Sequence, residues 1–439
     1  MPRSRTTALG TLAVAMSTAV LLSACGAGSR TAAETATEVP CDFPPPAEPT
    51  TVNVLAYNSS AIDPFTNMMV ASCSKEQVTV AHEPIDFGGQ VQKTIATLAG
   101  ETGTYDIVET YGFVIPQYAS QQKLMPLDDL FAEFEQEYAL GELNEEMREG
   151  LSYEGQLYGL PMQAQMYVMA YRKDVFDALG LQPPTTFAEL REVAGAIQQA
   201  GEIQYPIALP LLASADIITA YDAALGSLGM DLVDAEAMTP NFDTPEAAQA
   251  FEELRSLLPY MDPQVTTFDQ PRVQQQMYNG SAAIAVMFSG RMADLTKPEN
   301  SRFAQQFAFA PPPSVAGGDV LYNSLSVDGW SIPANTTVDP KLLFEMIAAS
   351  VGPEASRAAV PAAFPAREGI VTPQSSPYAE AALESIDKAP PAEPYPWTSR
   401  ISNDIRPVVA SVILGQTPVA EGTAQMQQIA TQILAEYKQ

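Results

Sequence analysis

With 439 residues, 46% of them apolar and 17% charged, the chain reads as a folded protein too long for one hydrophobic core, and two domains are the expectation. Acidic residues outnumber basic ones 52 to 22, a net charge of −30 that repels phosphate backbones and excludes nucleic acid as a partner. A single histidine, His82, rules out two-histidine zinc sites, and three cysteines are too few for zinc ribbons or four-cysteine iron–sulfur clusters, so no metal and no cofactor is expected.

The chain opens on a targeting pattern. Arg3 and Arg5 precede an uncharged apolar stretch over 7–24, and Leu22, Ser23, Ala24 and Cys25 follow in order. Leu-Ser-Ala-Cys resembles the lipobox of bacterial lipoprotein signals, which implies a signal peptide over 1–24, cleavage before Cys25 and lipidation of its thiol. The other reading of the stretch is a retained membrane anchor, since it is nearly long enough to span a bilayer. Two acyl chains would hold the body stably on the outer face of the cytoplasmic membrane. Residues 26–50 are small, polar and Pro-rich and complete a lipidated tether over 25–50. Outside the cell the two other cysteines, Cys41 and Cys73, form an even pair. A Cys41–Cys73 disulfide would stabilise by roughly 3–4 kcal/mol through loop closure; two buried free thiols are the alternative.

In the body, 51–57 (TVNVLAY) is strand-like, 58–60 a polar loop, and a helix runs on to about Cys73. Residues 77–82 make a second strand, and 87–99 carry Val91, Ile95 and Leu98 at helical spacing. A third strand covers 106–109, and 118–122 lie in a helix. Strands follow at 157–161 and 166–171, then an amphipathic helix at 186–200 capped by Thr185 or Thr186. Residues 207–212 are apolar, 216–228 and 244–258 helical, 282–287 a buried strand, and 340–350 and 417–437 helical. Strands separated by helices predict an α/β protein with mostly parallel pairing. No 20–50-residue period is present, which excludes solenoids and propellers.

Catalytic motifs are missing. No GxxxxGK[ST], GxSxG or HExxH occurs, and no acidic run has EF-hand spacing. His82 ends a strand and reads as a satisfied surface histidine. Carboxylate pairs for glycoside hydrolysis are not legible from spacing, because they come from distant strands. The expectation is therefore that the protein is not an enzyme.

Successive strand ends instead carry Tyr57, Asn58, Ser59 and Ser60, then Thr110 and Tyr111, Gln163 and Gln165, Asp216 and Tyr221, Phe288 and Arg291, and Trp330. Ligands in open α/β sheets bind at such ends. Sugar C–H faces pack on aromatic rings, while hydroxyls pair with amides, carboxylates and guanidinium groups. Aromatic plates beside forked polar groups suit a carbohydrate or polyol.

Six stretches then carry a family likeness in order: TVNVLAYNSS; TGTYDIVETYGFVIPQYASQQKLMPLDDL; YEGQLYGLPMQAQMYVMAYRKDVFDALGLQPPTTFAEL; MYNGSAAIAVMFSG; SLSVDGWSIPANT; and ILGQTPVAEGTAQMQQIATQIL. They resemble the maltose-binding-protein-like solute-binding proteins of bacterial ABC sugar importers. The resemblance implies two α/β lobes joined by a multi-strand hinge, with ligand in the cleft between them. It sets lobe one at 51–164 plus 322–366 and lobe two at 165–321 plus 367–439.

By motif position, Tyr57 to Ser60 match the first binding loop and Thr110 and Tyr111 the loop after the YDIV strand. Gln163 and Gln165 stand where relatives often place an acid, and Asp216 and Tyr221 fall near a ligand-touching loop. The second lobe lacks a tryptophan near Phe288 and Arg291. Trp330 matches a sugar-stacking Gly-Trp, with Asp328 in place of glycine. Arg367 resembles a Pro-x-Arg element, and Trp397 and Arg400 sit where relatives close the cleft. The expected role is a lipid-anchored, monomeric receptor that binds a sugar or polyol and delivers it to ABC permease subunits. The alternatives are another solute (a phosphodiester, peptide or polyamine), a glycan-active enzyme, or a purely structural lipoprotein.

Overall fold

A computed structural model describes residues 37–75 and 77–438. The signal stretch, Cys25 and the first part of the tether lie outside the described residues. Two sheets organise the body. The first contains β1 (Thr50–Leu55), β2 (Val78–His82), β3 (Ile107–Tyr111), β4 (Leu160–Gln165) and β9 (Ser326–Ser331) in the order β2-β1-β3-β9-β4. The second contains β5 (Tyr167–Arg172), β6 (Ile207–Ala208), β7 (Ile284–Phe288) and β8 (Phe307–Ala310) in the order β8-β5-β7-β6.

The expectation of mostly parallel pairing is corrected. β1–β2, β1–β3 and β7–β6 are parallel, whereas β9–β3, β9–β4, β7–β5 and β8–β5 are antiparallel. The antiparallel pairs arise where the chain passes between sheets. β4 and β5 are separated only by Met166, and β9 enters the first sheet after β8 has left the second.

Helices cover both sheets and give each its own core. Around the first sheet, α1 (Asp63–Cys73) and α7 (Pro340–Ser350) bury Phe65, Met68, Met69, Leu343, Phe344 and Ile347 with Val52, Val54 and Trp330. Around the second, α4 (Asp216–Ser227), α5 (Pro245–Leu257), α8 (Thr398–Ile413) and α9 (Val419–Tyr437) close over Val168, Met169, Ile284 and Val286. In α3 (Phe187–Ala200), Thr186 accepts the Glu189 amide at 3.1 Å while the Glu189 carboxylate takes the Thr185 amide at 2.7 Å, a reciprocal capping arrangement.

Cys41 and Cys73 are disulfide-bonded with their Cα atoms 5.3 Å apart. The expected tether therefore ends early: Val39 and Cys41 are already buried in the first core, with the Val39 amide on Ser72 Oγ. In α2 (Phe87–Ala99) the buried face is polar, made of Gln90, Thr94, Thr97 and Leu98, while Ile95 faces out. Of the three residues at helical spacing, Leu98 is buried and Val91 packs against the first core, so only Ile95 departs from the expected face. Among the described residues no helix is long and apolar enough to cross a membrane.

Candidate functional site

The first-lobe wall begins at the loop after β1. Asp63 opens α1 and folds the loop around itself, its carboxylate accepting from Asn58 Nδ2 (2.8 Å) and the Ser59 amide (3.1 Å). Burial pushes the Asp63 carboxyl up to about 6, opposed by these two bonds and by the positive charge of Arg291. Tyr57, at the mouth of the same loop, donates its amide to Glu109 Oε2 (3.0 Å).

Below this loop the ends of β3, β4 and β9 form a polar floor. Asp328 Oδ2 accepts from Gln165 Nε2 (2.7 Å) and Gln163 Nε2 (3.2 Å), and the Gln165 amide also donates to the Tyr57 hydroxyl at 3.1 Å. A register shift between Asp328 and Gly329 allows this, pairing Asp328 with Gln163 and Gly329 with Pro161. Gly329 must lack a side chain there, because a Cβ would lie 2.6 Å from the Leu160 carbonyl and closer still to Leu151. Tyr111 donates to Gln90 Oε1 (3.1 Å), and Gln90 Nε2 donates to the Glu109 carbonyl (2.8 Å), which explains the polar face of α2.

Two carboxyls share this floor. Burial raises Asp328 to about 7 against the pull of its glutamine partners. Burial and the Asp328 charge raise Glu109 well above the usual carboxylate range. Glu109 Oε1 and Gln163 Oε1 are buried with no hydrogen-bond partner among the described residues.

An aromatic row leads outward from the floor. Tyr57 meets Phe87 edge-on at 5.6 Å, Phe87 meets Tyr111 at 5.4 Å, and Phe113 stacks on Tyr111 at 5.4 Å with planes 7° apart. Phe87 and Phe113 are 43% and 48% exposed.

The second lobe brings fewer groups, and they sit at turns and helix starts. Gln270, first residue of α6 (Gln270–Asn279), accepts the Phe288 amide (3.1 Å) and donates to Asp216 at the start of α4 (3.4 Å). Gln274 holds the Arg291 carbonyl at 2.9 Å. Arg291 itself has no hydrogen bond or ion pair from its guanidinium among the described residues. Its charge reaches Tyr57 and Asp63 of the first lobe and Asp216 of the second, where burial raises the carboxyl to about 6. Away from the crossing segments, the lobes are bridged by Ser60 Oγ, which donates to the Gly290 carbonyl at 3.2 Å, and by the Ser399 hydroxyl, which donates to the Phe113 carbonyl.

The structure thus brings Tyr57, Asn58, Ser59, Ser60, Tyr111, Gln163, Gln165, Asp328, Asp216, Phe288 and Arg291 to the region where the two sheets meet, linked through the contacts above. Five expected residues are corrected. Trp330 has no exposed surface and packs in the first core, so it is not a stacking plate. Tyr221 is equally buried, its ring 4.3 Å from Phe251 and its hydroxyl on the Ala247 carbonyl. Thr110 lies on the opposite face of β3 from Glu109 and Tyr111, its hydroxyl 2.7 Å from Ser331 Oγ. Arg367 is buried and clamps the Tyr138, Ala139 and Val351 carbonyls together with Glu142. Arg400 forms a two-pronged pair with Glu436 of α9.

Sequence reasoning missed Asp63, Phe87, Gln90, Glu109 and Phe113. Phe113 was within reach as an aromatic two residues after Tyr111, in the turn that follows β3 and closes with the Val114 amide on the Tyr111 carbonyl. Glu109 and Gln90 carried no such signal, as both are polar residues buried by tertiary contact.

A family profile for bacterial extracellular solute-binding proteins matches residues 74–356, well over half of the chain. The chain belongs to that family. Membership implies an extracellular or periplasmic location. The chain is similar to the mannitol-binding protein of Pseudomonas aeruginosa, 28% identical over 229 residues, which are 50% of this chain and 51% of that one. The maltotriose-binding protein of Pyrococcus abyssi is 32% identical over 140 residues, 32% of this chain and 28% of that one. The chain therefore spans about half or less of the length of these curated relatives. A solved ABC-transporter solute-binding protein from Agrobacterium vitis with bound D-mannitol has the same fold, with a TM-score of 0.75, 22% identity, and coverage of 88% of this chain and 99% of that one. These relatives are substrate-binding proteins and not enzymes.

Proposed function

We propose that this chain is the substrate-binding component of an ABC importer, taking a sugar or polyol between its lobes and delivering it to the permease. Cys25 would carry the acyl chains that hold it to the outer face of the cytoplasmic membrane. We take the lobes as 51–165 plus 322–368 and 166–321 plus 369–439, moving the expected bounds at 164 and 366 because β4 runs to Gln165 in the first sheet and the Glu368 amide still bonds the first-lobe Glu142 carbonyl.

The observation that carries the reading is the floor of Asp328, Gln163 and Gln165 beneath the Tyr57–Phe87–Tyr111–Phe113 row. Planar amides and a carboxylate match hydroxyls, and half-exposed rings match C–H faces. The named ligands of the relatives, mannitol and maltotriose, belong to this chemical class. A micromolar complex needs only about −8 kcal/mol, within reach of one or two ring contacts and a few polar ones. A phosphodiester fits poorly. Of the three arginines expected to receive an anion, Arg367 and Arg400 are committed elsewhere, and Arg291 stands between two carboxyls, Asp63 and Asp216.

That excess of carboxylates favours a second reading, a cationic amine. Calorimetry at pH 7 with D-mannitol, maltotriose and spermidine separates the two. Heat of binding with mannitol or maltotriose and none with spermidine is expected. Binding of spermidine alone would replace the sugar reading with the amine.

A further inference from the structure

Gly290 stands where the two lobes meet, and nothing in its own backbone asks for glycine. Its φ is not in the left-handed region, unlike that of Gly280 a short way before it. The constraint comes from across the cleft. A Cβ on Gly290 would lie 2.8 Å from Ala61 Cβ and 3.0 Å from Gln165 Oε1. Ala61 is fully buried and its Cβ is fixed to the backbone of the first binding loop, so it has no rotamer by which to move aside. The Gly290 carbonyl meanwhile accepts the Ser60 hydroxyl of that same loop. Within the second lobe the segment is already held by Gln270 on the Phe288 amide, by the Met166 carbonyl on the Ser289 amide and by Gln274 on the Arg291 carbonyl. A side chain at 290 would therefore be relieved by separating the lobes, not by reshaping the turn.

We infer that the absent side chain of Gly290 sets how far the lobes close, and with it how tightly the cleft holds its solute. This rests on the binding reading above only for its second half. Gly290 is a positioning residue, because it acts through its neighbours. Closure at Gly290 is what carries Arg291 to the Asp63 and Tyr57 side of the cleft. Separating the lobes at this point moves that guanidinium away from the first lobe and weakens its attraction for Asp63. A form with the lobes further apart would relieve the contact with Ala61, so a larger residue shifts the population toward it.

The test uses the full chain with spin labels at Ile95→Cys and Leu179→Cys, two exposed positions, one on each lobe (53% and 39% exposed). Distance distributions are recorded for the parent and for Gly290→Ala and Gly290→Val, with and without D-mannitol, alongside ligand-free melting temperatures and dissociation rates. The parent is expected to populate the short interlobe distance of this structure, and Gly290→Val to lose it at an unchanged melting temperature. Mannitol affinity should fall about tenfold or more through faster dissociation, with Gly290→Ala between the two. Ser60→Ala, which removes the hydrogen bond and adds no bulk, should keep the short distance. An unchanged distance distribution in Gly290→Val overturns the inference, and so does a parent that never samples the short distance. Loss of the short distance in Gly290→Val, in a protein that ignores mannitol, maltotriose and spermidine alike, upholds the closure role while removing the binding reading.

Discussion

In the first lobe the strand ends facing the cleft carry Glu109, Tyr111, Gln163, Gln165 and Asp328, whereas the second sheet's long strands, YVMAYR and IAVMF, reach the same cleft with one half-exposed ring, Phe288. The first lobe builds its wall into the sheet itself and ties it with internal hydrogen bonds before any solute arrives. The second lobe keeps its sheet apolar and presents Asp216, Gln270 and Arg291 from helix starts and a turn. The two halves therefore divide the work. One is a pre-ordered floor whose groups also hold the lobe together, and the other is a cover whose groups can change without disturbing a core. Substitutions of Gln163, Gln165 or Asp328 on the floor should alter stability and binding together, and those of Arg291 on the cover should alter binding alone.

The largest expected effect tests where that floor ends. Trp330 shares β9 with Asp328 but is buried in the core, so Trp330→Ala should cost about 3–5 kcal/mol of stability. The fraction that remains folded should bind as the parent does. Chemical denaturation followed by titration below the midpoint reads both quantities. A melting point left unchanged with affinity lost would return Trp330 to the cleft and redraw the comparison.

Asp328→Asn comes next, because it separates the electrostatic from the geometric part of the floor. The folded pKa is raised to about 7, against an unfolded value of about 3.9. Between these values the folded state holds the proton more firmly than the unfolded state. Stability therefore falls as pH rises through that window and is fully reduced above it. Asp63 and Asp216, both raised to about 6, add slope of the same sign. Melting temperatures from pH 5 to 8.5 should decline in the parent by several degrees and decline less in the variant. The variant should also bind more weakly, by roughly five- to a hundredfold, having lost a charged acceptor. A parent whose stability rises across the same range would show that Asp328 is ionised and satisfied throughout.

The same division explains what could be read from the sequence. Elements with their own periodicity and caps were legible: β1, β2, α1, α5 with Pro245 in its first turn and Thr244 as cap, and α3 with Thr186 as cap. Helix α8 was not, because a proline-rich run precedes it and Pro407 interrupts it, although Ile401, Ile405, Val409 and Val412 line its buried face. Strand ends were legible as places, which is why Tyr57, Gln163 and Gln165 were singled out, while Asp328 entered only through the family likeness. Their orientation was not. Thr110 and Tyr111 are neighbours on opposite faces of one strand, and Trp330 turns inward from the strand that carries Asp328. Arg367 looked like a ligand contact by its motif, yet its guanidinium is used up by the three carbonyls around it. Which side of an element faces the cleft depends on partners hundreds of residues away.

The smallest expected effect asks whether the aromatic row serves the solute or the lobe. Phe113 is half exposed, stacked on Tyr111 and far less enclosed than Phe288, whose ring packs 4.8 Å from Tyr167 in the second core. Removing the Phe113 ring should leave the melting temperature where it is and weaken a bound sugar or polyol by about 0.5–1.5 kcal/mol, roughly two- to twelvefold. Its carbonyl, which takes the Ser399 hydroxyl, is retained in Phe113→Ala, so the interlobe contact survives and the change isolates the ring. Phe288→Ala should behave differently, lowering stability as well as affinity, because that ring is shared with Tyr167. If instead Phe113→Ala melts lower and binds unchanged, the row is packing that reaches the surface, and the first lobe recognises its solute through the Asp328 floor alone.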